Sequence, residues 1–260
     1  TEAGFGSDLG AEKFIDIKCR TAKLSPSCCV LVATVKALKL QGGADAKELK
    51  TENTDALKNG LPNLEKHILN IKNVFHLPVV VALNRNASDT PAEIALVKEK
   101  CLSLGTDFSD TSVVADGVRG GAELAQKVVR LCETSEGFNY VYDTDAPVKD
   151  KLDSVVQKIY GGNGVVLTPE AQVQAQELEA LGFGGLPVCI AKTQYSFTDD
   201  KSVLGAPSDF SVTIREIKLS AGAGFIVAKA GKIMTMPGLP KVPAAEGIDV
   251  SPDGVISGLF

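Results

Sequence analysis

At 260 residues, 44% of them hydrophobic and 23% charged, the chain has apolar material for one large core or two smaller ones. Its formal net charge of -5 argues against nucleic acid as a direct partner, because phosphate binding rests on a clustered basic surface that releases counterions. The longest apolar run, Cys28 to Val35, is far too short to span a bilayer, so no membrane span is expected.

That run is continuous and rich in β-branched residues, and Pro78 to Asn84 is a second one. Both are expected to be parallel strands buried on two faces. Between them Asn63 is expected to cap a helix whose Leu64, Ile68 and Ile71 share one side. Thr90-Pro91-Ala92-Glu93 spells a capping box with proline at the first helical position. Ile94, Val97, Cys101 and Leu104 continue it as an apolar stripe, and Gly105 stops it. A third helix is expected around Ala122 to Cys132, with Leu124, Val128 and Leu131 facing inward. This alternation predicts an α/β fold with a doubly wound, mostly parallel sheet. Right-handed crossovers bring the loops after the strands to one edge, where such folds bind ligands, and Asn84 to Thr90 lies there.

From about Asp143 the texture changes, which divides the chain into an α/β region over 1–142 and a smaller α+β domain over 143–260. Val148, Leu152, Val155 and Ile159 predict a helix broken by Gly161-Gly162-Asn163-Gly164. Thr168-Pro169 opens another that ends near Gly182. Strands are expected at Pro187 to Lys192, Phe210 to Lys218 and Gly224 to Ala228. Toward the end, Ile233, Met234, Met236, Leu239, Ile248 and Val250 are expected to anchor a packed irregular segment.

The cysteines at 19, 28, 29, 101, 132 and 189 form no CxxC and no Cys/His pair at metal spacing. Cys28 and Cys29 are strand neighbours pointing to opposite faces, so they cannot jointly clasp an ion. Buried free thiols in an intracellular, reducing compartment are expected, in mitochondrion or cytosol, with a plastid open. Residue 1 is Thr rather than Met, which leaves a preceding targeting segment open. His67 and His76 lack a carboxylate or cysteine partner at metal spacing and read as surface or boundary histidines. Asp199-Asp200 reads as a solvated loop, and no metal site is expected. Gly117-Val118-Arg119-Gly120-Gly121 lacks the length and the Lys-Ser/Thr pair of a phosphate loop and reads as a tight turn. Asn84, at the end of a buried strand with Asp89 five residues on, is weighed evenly between nucleotide-base recognition and capping of the strand-to-helix turn, with Asp89 or Thr90 capping the helix.

Several blocks carry a resemblance. TEAGFGSDLGAEKF at 1–14 and VATVKALKLQGG at 32–43 are followed in order by NLEKHI at 63–68, AKTQYS at 191–196, IMTMPGLPK at 233–241 and GLF at 258–260. Together they resemble formate-tetrahydrofolate ligase, over roughly the C-terminal half of that family. The resemblance implies a P-loop NTPase-like fold and a reaction in which ATP phosphorylates formate and the amine of tetrahydrofolate takes the formyl group. The chain contains no GxxxxGK[ST] to hold the phosphates.

The resemblance also assigns positions. Phe5, Gly6 and Asp8 would approach the reaction site. Asn86 stands where the family typically has an aromatic residue, beside Ala87, and Val114 where it typically has tryptophan. Those two aromatics are expected to sandwich the pterin ring, stacking worth about 0.5–1.5 kcal/mol beyond burial. Lys36 replaces the usual Arg, and Gln41 the usual His or Asn. Lys192 and Tyr195 lie in a preserved block, where packing explains them as readily as chemistry. The resulting expectation is a ligase homologue, noncatalytic alone, serving as a structural subunit with protein partners and no cofactor of its own. The alternative is one half of a split or cleaved ligase, with ATP, Mg and tetrahydrofolate as its cofactors. A folate or nucleotide sensor is disfavoured by Val114.

Overall fold

Three parallel strands carry the first part of the chain: β1 (Cys29–Ala33), β2 (Val79–Asn84) and β3 (Asp107–Thr111), in the order β1-β2-β3. The structure, a computed structural model, describes residues 1–231, 233 and 241–258. β2 is buried along Val79–Leu83, as its unbroken apolar run demands. β1 differs from expectation. Leu31 and Ala33 are buried, but Val30 and Val32 are 38% and 63% exposed, because only one face of β1 is covered. β3 was not foreseen. Its Asp107 and Asp110 hide the strand pattern, and they are held by Arg130 and Arg85 at 2.6 and 3.3 Å.

Short helices α1 (Gly10–Lys13) and α2 (Arg20–Ala22) flank a π-turn at Phe14–Cys19. Helix α3 (Val35–Gln41) follows β1 and is capped by Thr34, whose hydroxyl accepts from the Ala37 N–H. Helix α4 (Thr54–Leu69) starts ten residues earlier than Asn63 suggested, with Asn53 as its cap. Pro62 lies inside it without ending it. Pro62 and Lys58 are both exposed, so the Lys58 carbonyl that loses its partner meets water. Leu64, Ile68 and Ile71 face the core as expected. Helices α3 and α4 cross closely because Gly60 has no side chain; a Cβ there would strike the Leu38 carbonyl.

Helix α5 (Pro91–Ser103) carries the complete capping box, with Val97 and Cys101 fully buried and Gly105 just beyond its end. A turn of helix α6 (Val113–Asp116) and a 3-10 turn at Gly117–Gly121 lead into α7 (Ala122–Glu133). Leu124, Val128 and Leu131 face inward but are only half-buried, and no residue of α7 is fully covered. Helix α8 (Val148–Val155) continues through a π-turn at Val156–Tyr160, and the carbonyl of Ile159 accepts from Asn70 in the π-turn that ends α4.

The second sheet comprises β4 (Gly164–Leu167), β5 (Val188–Ala191), β6 (Ser211–Ser220) and β7 (Phe225–Ala230), ordered β4-β6-β7-β5, with helix α9 (Pro169–Ala180) after Thr168. Strand β4 was missed because Gly164 belongs to it as well as to the turn. The β6–β7 pair is antiparallel and the outer pairs are parallel. One hydrophobic cluster includes residues from both sheets. The fold is α/β with a three-stranded parallel sheet and further sheets. A hairpin of β8 (Asp249–Val250) and β9 (Ile256–Ser257) departs from expectation: Ile248 and Val250 are 40% and 57% exposed, so they anchor nothing. Met234, Met236 and Leu239 lie outside the described residues. No helix of the described residues is long and apolar enough to cross a membrane.

One ion pair locks the helices around the first sheet. Lys39 of α3 meets Glu93 of α5 at 2.8 Å, both side chains at most 1% exposed. Glu93 also accepts from the N–H groups of Asn53 and Thr90, so one carboxylate holds the starts of α4 and α5. Burial pushes the Glu93 carboxyl up, but these hydrogen bonds bring it below its ordinary value. The pair therefore contributes stability at neutral pH that is lost as pH falls through the carboxylate range. Glu93→Ala strands the Lys39 ammonium and is expected to cost about 3–5 kcal/mol by urea unfolding, whereas Lys39→Met with Glu93→Leu recovers much of it. Equal losses in the single and double variants would contradict this account.

Candidate functional site

A cleft of about 760 Å³ runs between the opening segment, the open face of β1, α3 and the loop after β5. Gly6 is where the opening segment bends in: a Cβ there would press on the Asp8 carboxylate and come within 3.3 Å of the His67 ring. Asp8 is buried and accepts from Lys192 Nζ at 3.0 Å. Lys192, just beyond β5, also donates to the carbonyls of Thr193, at 3.2 Å, and Ser196, and its ammonium sits 4.7 Å from the Tyr160 ring centre. Three donors meet three acceptors, so the side chain is fully committed within the protein. Burial lowers the Lys192 ammonium below its usual range, against the opposing pull of Asp8.

His67 projects from α4 into the same wall. Its Nδ1 shares a 2.7 Å hydrogen bond with Ser7 Oγ, and its ring packs on Phe197 at 4.8 Å between centres. It is half-buried, as a boundary histidine would be, but both its Nδ1 and its ring face are engaged. Nothing local in the sequence marks it, because its partners lie 60 and 130 residues away. Burial lowers its pKa from the ordinary 6.5, outweighing the raising influence of Asp8.

Of the residues expected near a reaction site, Gly6 and Asp8 form the inner wall, while Phe5 stands 80% exposed at the mouth. Tyr195 lines the same cleft at 52% exposure, and its carbonyl accepts from Gln41. The Gln41 side chain also accepts from the Gly205 N–H at 2.9 Å, and Asn63 donates to the Gly205 carbonyl at 2.8 Å. Gln41 and Asn63 thus pin the loop beyond Tyr195 to α3 and α4.

The remaining candidates occupy the carboxyl edge of the first sheet. Asn84 ends β2 and is exposed, as is Ala87. Asp89 is 8% exposed and accepts from the Asn86 N–H at 2.8 Å, while Thr90 caps α5. Asp89 Oδ1 is buried and takes no hydrogen bond from the described residues. Asn86 Oδ1 accepts from Lys36 Nζ at 2.9 Å. Val114, on α6 after β3, is 93% exposed. Among the described residues no group of three His, Cys, Asp or Glu converges as a metal site.

The family model for formate-tetrahydrofolate ligase matches the chain over residues 1–260. The chain belongs to the formate-tetrahydrofolate ligase family. In this family member the opening block therefore forms a folded cleft wall, tied to the AKTQYS block by the Asp8–Lys192 pair.

Asp8→Asn removes the counter-charge of a buried lysine and is expected to destabilise the chain by about 3–5 kcal/mol in urea unfolding. An effect under about 1 kcal/mol would mean that Lys192 finds another partner. Below pH 6.5 the unfolded His67 takes up a proton that the folded one resists, so ν_U exceeds ν_N and stability falls as pH drops. His67→Gln is expected to flatten that slope between pH 6.5 and 5 in thermal melts; an unchanged slope would assign it to other groups.

Proposed function

We propose that this formate-tetrahydrofolate ligase homologue is noncatalytic alone and serves as a structural subunit of a larger assembly. The observation that carries this reading is the Lys36–Asn86 hydrogen bond. By resemblance, Asn86 and Val114 stand where two aromatic residues would sandwich a pterin. A pterin clamp needs two flat π faces. An amide held by an ammonium and a valine 93% exposed provide neither, so these residues do not fit tetrahydrofolate. Lys36 in place of the usual Arg also gives up the bidentate fork that planar anions favour. ATP likewise has no glycine-rich loop in this sequence to receive its phosphates.

The split-ligase reading has its own support. β1 is an edge strand whose exposed Val30 and Val32 line the cleft together with Phe5, a surface that a second polypeptide would cover. On that reading the partner brings the phosphate loop, and ATP, Mg and tetrahydrofolate bind between the two. Asn84 and Asp89 would then face the nucleotide, with the unpartnered Asp89 Oδ1 as the available acceptor. We also read the division at residue 143, the P-loop NTPase-like ancestry of the first sheet and an organellar or cytosolic reducing setting as part of this proposal.

Calorimetric titration with tetrahydrofolate separates the readings. The purified chain is expected to give no saturable binding tighter than about 1 mM, which corresponds to about 4 kcal/mol. Micromolar binding would overturn the noncatalytic reading. Peptide identification of the native particle is expected to return a large assembly without a stoichiometric P-loop chain; finding that chain would turn the conclusion to a split ligase.

A further inference from the structure

We propose that Cys28 and Cys132 are a redox modification site: they close a reversible disulfide that fastens α7 to the start of β1, through exchange with a low-molecular-weight disulfide such as oxidised glutathione. The two sulfurs lie 3.4 Å apart although the residues are 104 positions apart in sequence. A disulfide bond is about 2.0 Å long, so closure asks for an approach of about 1.4 Å. Both residues sit where such a shift is cheap. Cys28 is half-buried in irregular chain just before β1, and Cys132 is exposed in the last turn of α7, a helix with no fully buried residue.

The other thiols are poorly placed to compete. Cys19 and Cys101 are fully buried, Cys29 is a strand residue whose thiol burial pushes up to about 12, and Cys189 is a half-buried residue of β5 whose thiol burial also pushes up. All six thiols are free as expected, but only Cys19 and Cys101 are buried, and the fold juxtaposes Cys28 and Cys132, which no spacing rule connects.

The chemistry balances in two exchanges. The Cys132 thiolate attacks one sulfur of the small disulfide, forming a mixed disulfide and releasing one thiolate. Cys28 then loses its proton to solvent, and its thiolate attacks the Cys132 sulfur. The Cys28–Cys132 bond forms and the second small thiolate leaves. Two protein thiols are oxidised and one small disulfide is reduced to two thiols. Burial and the Cys132 contact push the Cys28 thiol up to about 11, which makes the exposed Cys132 the first attacker.

Incubation of the intact chain in glutathione buffers of graded oxidation, followed by thiol alkylation and non-reducing peptide mapping, tests this directly. The expected product joins the tryptic peptide 24–36 to the peptide 131–149 with the loss of two hydrogen atoms. The first peptide holds both Cys28 and Cys29, so variants assign the bond: Cys29→Ser should keep it, and Cys28→Ser and Cys132→Ser should each abolish it. Amide exchange across α7 should slow on oxidation in the native chain and stay unchanged in Cys132→Ser. A glutathione adduct that persists on Cys132, a bond through Cys29, or α7 exchange indifferent to the cross-link would each overturn the proposal.

Discussion

A single buried ammonium ties the opening segment of this chain to the loop after β5. Lys192 leaves β5 and ends against Asp8, 184 residues earlier, with the carbonyls of Thr193 and Ser196 taking its other protons. Removing a lysine from water is costly unless each donor finds an acceptor, so the ammonium holds its site only while all three contacts persist. The opening segment, the loop after β5 and the Tyr160 ring at the end of the α8 π-turn are thereby fixed in one arrangement. His67 and Ser7 are placed by the same arrangement, since Gly6 turns the chain between Asp8 and the His67 ring. The cleft wall is a by-product of that constraint, and its most polar group is occupied in building it.

The same economy runs through the positions that depart from the family pattern. Lys36 and Asn86 are two such departures, and they bond to each other. Gln41 is a third, and both ends of its amide are used on backbone atoms of the loop from Tyr195 to Gly205. Three polar side chains that the resemblance would place near a ligand thus find partners within the protein, whereas the buried Asp89 Oδ1 takes no hydrogen bond from the described residues. Internal pairing keeps buried polar groups quiet, and it also removes the donors and acceptors that recognition needs. A fold can be kept in this way while its former chemistry is not.

What was legible in the sequence was local or strongly patterned. The run at β2, the Thr90–Glu93 capping box and the Thr168-Pro169 helix start were all readable, because each is decided by neighbours within a few residues. β1 looked like β2 because both are short apolar β-branched runs; its open face is decided by what packs on the assembled sheet, which neighbours in sequence do not reveal. β3 was invisible because its aspartates are held by arginines on other elements. Asn63 is a good cap residue by type, but the cap in use is Asn53, ten residues earlier, and the exposed Pro62 is tolerated inside α4. His67, Lys192 and the Cys28–Cys132 contact depend on partners 60 to 184 residues away, beyond the reach of any spacing rule.

The distribution of exposed apolar groups gives these features a common sense. The core lies beneath the buried residues of β1, along β2 and around the second sheet, and the Lys39–Glu93 pair closes the helices over it. Apolar side chains left in water include Phe5, Val30 and Val32 along the cleft and Val113, Val114 and Val118 on the turns before α7, with others such as Val166, Val173 and Leu181 scattered on β4 and along and just beyond α9. Phe5, Val30 and Val32 line one cleft, and it is such neighbouring exposed apolar groups, not single ones, that offer a surface for contact. On the reading proposed above, the internal pairing of Lys36, Asn86 and Gln41 and the apolar groups left in water suit packing against another chain, and α7, with no fully buried residue, is the element whose position such packing would most affect.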